Sequence, residues 1–389
     1  MIYNPAFQPS MPAPTAHPEH RLPKDPRPLS LTEVMAVILI SYLVFLAFLL
    51  YVGGPYWSLV NGGFGDNPAY LEAASAIRHW QFNGVEVKQF WGLSYAVACV
   101  SIITGLSLPA SMVLVCVGAS LSAVALFYRI WDGWIAVLVA LLSLDWFQRS
   151  LLGGAEPLLM ALLFGAFLML RRDRWVAAAV LGSLATVVRP FGVFALVGLG
   201  IELLYRRRFR DCAIATAIAL AIGALYTWPL KHYLGNAFAN VTTYQRNDWH
   251  AGFPFQFPFV AIIRDTFPIE SPLTNLALTY GWILFVLVGV AVALRSGDFQ
   301  EYARKHTAEA VFVTLYCLAI YTYEAPGWSR AEFPRFALPL LPFTLFFLRK
   351  YLPKKRSVVW TLALITPAVA AASALGIRQT AAILLRRFH

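Results

Sequence analysis

The stretch LTEVMAVILISYLVFLAFLLYV, residues 31–52, decides the fold. A bilayer core is crossed by roughly 20 apolar residues in helical conformation, and this block has that length. It is too long for the apolar region of a signal peptide and no cleavage pattern follows it, so it reads as a retained first span. Residues 1–30 contain eight prolines and no apolar run. Such a segment cannot bury enough surface to fold and is expected to be a disordered cytoplasmic tail.

The remainder repeats the pattern. Of 389 residues, 59% are hydrophobic and 13% charged, where soluble domains carry about 25% charged residues. Apolar blocks at about 31–52, 109–128, 133–148, 156–170, 175–188, 190–205, 212–231, 272–294, 308–325, 336–349 and 357–378 predict an all-α polytopic membrane protein with about 11 transmembrane helices. The shorter blocks tilt, thin the bilayer or form half-spans around a cavity. Residues 90–106 read either as a span or as a helix at the outer surface.

Basic residues choose between the two. The net charge of +11 would suit nucleic acid, but the cations cluster in short loops between apolar blocks. With 90–106 kept outside, the loops at Arg129, Arg171–Arg174, Arg206–Arg210, Arg295–Lys305 and Arg349–Arg356 share the tail's side, placing 19 of the 31 Lys and Arg there. That is the positive-inside pattern, and it leaves no nucleic-acid partner. The domain reading is a tail, 1–30, and one membrane domain, 31–389, with outer loops 53–108 and 232–271 and surface helices in the first loop. No internal repeat of the kind many transporters carry is visible. Cys99, Cys116, Cys212 and Cys317 lie singly in apolar segments, without metal-ligand or disulfide spacing, and read as packing residues.

Candidate chemistry lies on the outer side. Asp66, in Gly65-Asp66-Asn67-Pro68, is a carboxylate on a glycine-rich turn, suited to a general base; the alternative is a helix cap. Glu156, in Gly153-Gly154-Ala155-Glu156-Pro157, enters an apolar helix, where an acid either answers the helix dipole or faces a cavity. Lys88, Arg189 and Arg335 violate the inside bias and call for an anionic partner. A lipid phosphate fits guanidinium forks; snorkelling or a structural ion pair is the alternative. In the second loop Tyr244, Arg246, Trp249 and His250 suit a sugar, whose hydroxyls want hydrogen bonds and whose C–H face packs on rings, or else form an interfacial belt. No Walker-type phosphate loop, HExxH or nucleophile elbow is present. No soluble domain is large enough for a nucleotide sugar, so an activated sugar would arrive on a lipid.

These elements resemble the GT-C superfamily of membrane glycosyltransferases, including PIG-V-like mannosyltransferases and the aminoarabinose and protein O-mannosyl transferases. Gly65-Asp66 with Tyr70, the alanines 73, 74 and 76, Lys88 with Gly92, Glu156-Pro157, Arg189-Pro190 with Gly192, and Arg335 with Pro339 and Pro342 carry the resemblance over roughly 31–345. It implies a GT-C-type helical bundle with a cavity at the outer leaflet. It also implies a polyprenyl-phosphate sugar donor, with mannose as the expected sugar, and a glycolipid, glycan or protein acceptor. Asp66 would be the base of an inverting transfer, Lys88, Arg189 and Arg335 would bind the donor phosphate, and Glu156 would orient acceptor or sugar. Tyr70 joins the expected substrate contacts. Asn67, where a second acid would stand, implies a reaction without cofactor or metal. The compact loops point to a bacterial plasma membrane, with the endoplasmic reticulum as the eukaryotic counterpart. A lipid-linked sugar flippase is the competing function. A membrane O-acyltransferase would need an intramembrane histidine, and His232 lies at a span's end.

Overall fold

The computed structural model describes residues 27–82, 84–85, 87–247, 254–266, 273–323 and 332–388. Residues 1–26 of the expected tail, with Trp249 and His250, lie outside them. Among the described residues the fold is helical throughout, with one isolated bridge between Phe255 and Tyr323.

Helix α1 (Leu31–Tyr51) leads through α2 (Tyr56–Ser58), a π turn (Leu59–Gly63) and α3 (Asn67–His79) to α4 (Gly92–Thr104). Then come α5 (Leu108–Ile130), α6 (Gly133–Leu142), α7 (Leu144–Leu151), α8 (Glu156–Arg171), α9 (Trp175–Val188), α10 (Val193–Tyr205) and α11 (Phe209–Leu234). After α12 (Ala239–Asn247) and α13 (Val260–Thr266) follow α14 (Leu273–Ser296), α15 (Asp298–Lys305) and α16 (Thr307–Thr322). The last group is α17 (Phe333–Ala337), a 3-10 turn, α18 (Leu341–Phe347), α19 (Arg356–Leu375) and α20 (Ile377–Phe388).

Among the described residues five helices are long and apolar enough to cross a membrane: α1, α5, α11, α14 from Thr279, and α19. The bent pair α6–α7 makes a sixth if counted as one span. The other apolar blocks of the expected 11 form shorter helices. Helices such as α4, α9 and α16 are apolar but only 10–17 residues long, about 15–25 Å against a hydrocarbon core of about 30 Å.

Local chemistry sets the boundaries. Ser30 and Glu33 form a capping box at the start of α1, each side chain taking the other's backbone N–H. The block 133–148, read as one span, is two helices meeting at 82°. Asp132 caps α6 through Ile135 N–H at 2.9 Å, and Ser143 caps α7 through Trp146 N–H at 3.2 Å. A hydroxyl that accepts a backbone N–H starts a new helix inside the apolar run.

Helix α8 lies between α5 and α9, with Leu159, Met160, Leu163, Phe164 and Phe167 buried, as expected for a helix apolar on nearly every side. Its 16 residues span about 24 Å and carry a charged residue at each end. At one end Arg171 grips Glu309 of α16 with two bonds, 2.6 and 2.8 Å, and donates to Ile130 O at 2.9 Å and to the Tyr302 hydroxyl at 3.0 Å. Close by, Glu202 of α10 accepts the Ala308 N–H at 3.0 Å at the start of α16. There α10 and α16 nearly touch, because a Cβ on Gly198 would lie 2.3 Å from Ala308 O. Gly198→Leu is therefore expected to destabilise the bundle by about 1–3 kcal/mol or more by forcing the helices apart. Thermal melting in detergent checks this, and an unchanged midpoint would contradict the packing argument.

Candidate active site

The other end of α8 gathers charge. Asp66 stands at the N-cap position of α3, yet its side chain makes no capping bond. Its Oδ2 instead accepts from Arg335 Nη2 at 2.8 Å. Locking the turn falls to Asn67, whose amide donates to Val60 O at 3.1 Å and Leu152 O at 2.8 Å. The helix-cap reading of Asp66 gives way to an ion pair across the bundle.

Glu156 opens α8, and its Oε1 accepts from Arg189 Nη2 and Arg335 Nε, both at 2.5 Å. Arg335 thus bridges the two carboxylates, and its Nη1 also reaches Glu332 at 3.0 Å. The Arg335 side chain is 2% exposed and that of Asp66 28%, so the guanidinium is buried while the carboxylate meets the surface. Burial alone would push the Asp66 carboxyl up; the Arg335 guanidinium, with Arg189 and Arg149 beyond it, outweighs that and holds it below its ordinary value.

A cavity of about 240 Å³ abuts this cluster. Glu156, Arg189 and Arg335 supply its charge, and Phe90, Tyr244 and Tyr316 are among its aromatic walls. The Phe336 ring carries the guanidinium of Arg335 at 5.3 Å and that of Arg189 at 5.8 Å. A mostly apolar pocket with a few converging charges is the usual form of a ligand site. Among the described residues no three His, Cys, Asp or Glu side chains gather as metal ligands.

The structure therefore brings together Asp66, Glu156, Arg189 and Arg335. Tyr70 is buried beside them, and its hydroxyl makes no hydrogen bond among the described residues. Lys88 Nζ lies 5.8 Å from the ring of Tyr244, one of the cavity walls. Arg246 is exposed on α12 and is not part of the cavity wall. Sequence reasoning missed Glu332 and the pair Asp145 and Arg149 on α7. An acid and an arginine at the end of an apolar block are functional candidates by default, and that signal was present.

A model of the family described as glycosyltransferase family 87 matches residues 95–322, more than half of the chain. No curated protein and no solved structure matches it.

Proposed function

The chain belongs to glycosyltransferase family 87 and is a membrane glycosyltransferase, and from that premise we propose that it moves a hexose, mannose in our reading, from polyprenyl phosphate to an acceptor hydroxyl. The observation that carries this reading is Arg335 bridging Asp66 and Glu156 at the wall of an apolar cavity that Arg189 also enters.

The chemistry follows from charge. A sugar phosphodiester carries one negative charge, and the departing polyprenyl phosphate gains a second as the C1–O bond breaks and its electron pair moves to the phosphate oxygen. Arg335 and Arg189 are fixed cations positioned to offset that gain, the electrostatic share of catalysis. Asp66 takes the proton from the acceptor hydroxyl, whose oxygen forms the new bond to C1 from the opposite face, with inversion. Glu156 holds both guanidiniums through Oε1. Its Oε2, without a partner among the described residues, is free to accept a sugar or acceptor hydroxyl. Tyr244 lines the cavity, Tyr70 backs the charged cluster from within, and Lys88, near the Tyr244 ring, adds positive charge. The proposed reaction uses no metal. The acceptor is a glycolipid, a glycan or a protein, and the site faces the side away from the basic loops, the outside of a bacterial plasma membrane.

The test is transfer in proteoliposomes from radiolabelled polyprenyl-phosphate mannose to a membrane lipid extract. Labelled product of inverted anomeric configuration is expected. Retained configuration would refute the single displacement. Tight polyprenyl-phosphate binding without turnover would favour transport over transfer.

A further inference from the structure

Arg149, on α7, takes no part in the steps above, yet it is as deeply buried as the charges that do. Its side chain is buried, and its Nε and Nη1 donate to nothing among the described residues. The Phe64 ring lies 4.7 Å from its Cζ.

Two glycines make room for it. A Cβ on Gly65, the residue before Asp66, would stand 2.6 Å from Arg149 Nη1. A Cβ on Gly154, two residues before Glu156, would stand 2.5 Å from Arg149 Cδ and 2.8 Å from Glu156 Oε2. Gly65 also has a φ of +53°, which side chains rarely adopt. Both turns that deliver the carboxylates are therefore built around one arginine side chain, the first against its guanidinium and the second against its aliphatic stem.

A buried cation with unsatisfied donors is costly, and an apolar residue of similar volume would hold the fold at least as well. We propose that Arg149 is a positioning residue whose charge, wedged between the Gly65-Asp66 and Gly154-Glu156 turns, sets the field in which both carboxylates work. Unlike Asp66, which is 28% exposed, it is buried behind the two turns, and the proposal gives it no contact with substrate. Asp66 is faced by Arg335 from α17, by Arg189 from the end of α9 and by Arg149 from α7, with Tyr70 also in range and Glu156 joined to it through Arg335. Removing one of three cations leaves the carboxylate charged at neutral pH but less firmly so.

This inference rests on the transfer reading. Its test compares wild type with Arg149→Gln and Arg149→Lys in the proteoliposome assay, with melting curves in detergent. For Arg149→Gln a kcat loss of about tenfold, an unchanged donor KM and an acid limb displaced upward are expected. The wild-type limb should lie below the ordinary carboxylate range, because the neighbouring guanidiniums hold Asp66 there. Arg149→Lys keeps the charge and should keep the wild-type limb while recovering part of kcat. Neither variant should melt below wild type. An unchanged kcat and limb, a donor KM raised at constant kcat, or melting points lowered in both variants would overturn the proposal. Wild type that transfers nothing but melts normally would instead take down the transfer reading, and this inference with it.

Discussion

Asp66→Asn is expected to lose transfer by about 10²–10⁴-fold, the usual share of a general base, while binding polyprenyl phosphate about tenfold more tightly. The second effect follows from the 2.8 Å contact between Asp66 Oδ2 and Arg335 Nη2. In the proposed reaction that guanidinium edge is also the seat of the donor phosphate, so base and donor compete for one fork. Asparagine keeps the shape of the side chain and removes the competing charge. When the donor takes the edge, Asp66 is released beside the anomeric centre with its charge restored to use, which would order the binding, donor first. Equilibrium binding of radiolabelled polyprenyl phosphate to the two purified proteins, beside the transfer assay, reads both effects. Wild-type transfer by the variant would remove Asp66 from the mechanism. Binding no tighter than wild type would place the phosphate elsewhere than on Arg335.

That competition was not legible in the sequence, although its participants were. Asp66, Glu156, Arg189 and Arg335 stand out because each is an ionisable group on the side of the membrane the basic loops avoid. Their pairing spans 269 residues from Asp66 to Arg335 and 179 from Glu156 to Arg335, and no local pattern encodes such distances. The same charge pattern that suggested a free phosphate site also allowed a structural ion pair, and the structure contains the ion pairs. Helix breaks were harder still. Hydropathy averages over Ser143, so 133–148 reads as one span, whereas the Ser143 hydroxyl and Asp145 in the first turn of α7 together make an N-terminal signature. Recognising that signature would have lifted α7 out of the count of spans and drawn Arg149 to the site. The lengths of the spans are hidden for a related physical reason: apolar composition measures burial, and α8 is apolar with protein on most of its sides.

The two ends of α8 then separate function from stability. Glu156 and Glu309 are alike in burial, 5% and 3% side-chain exposure, and each receives guanidinium N–H groups. Neutralising either leaves buried cations uncompensated, at a cost of about 3–5 kcal/mol for a broken buried pair. Glu309→Gln loosens the clamp between Arg171, Tyr302 and α16 at the end remote from the cavity, and should lower the melting point while leaving transfer per folded molecule near wild type. Glu156→Gln should lower the melting point by a similar amount and also abolish transfer, because Arg189 and Arg335 both lose the oxygen that holds them at the cavity wall. Melting curves and active-fraction-corrected rates for the pair make the comparison. Equal transfer losses in both variants would mean that activity merely follows fold stability. A stable, active Glu156→Gln would mean that the two guanidiniums keep their places without it, and that the carboxylate at the head of α8 has no part in the chemistry.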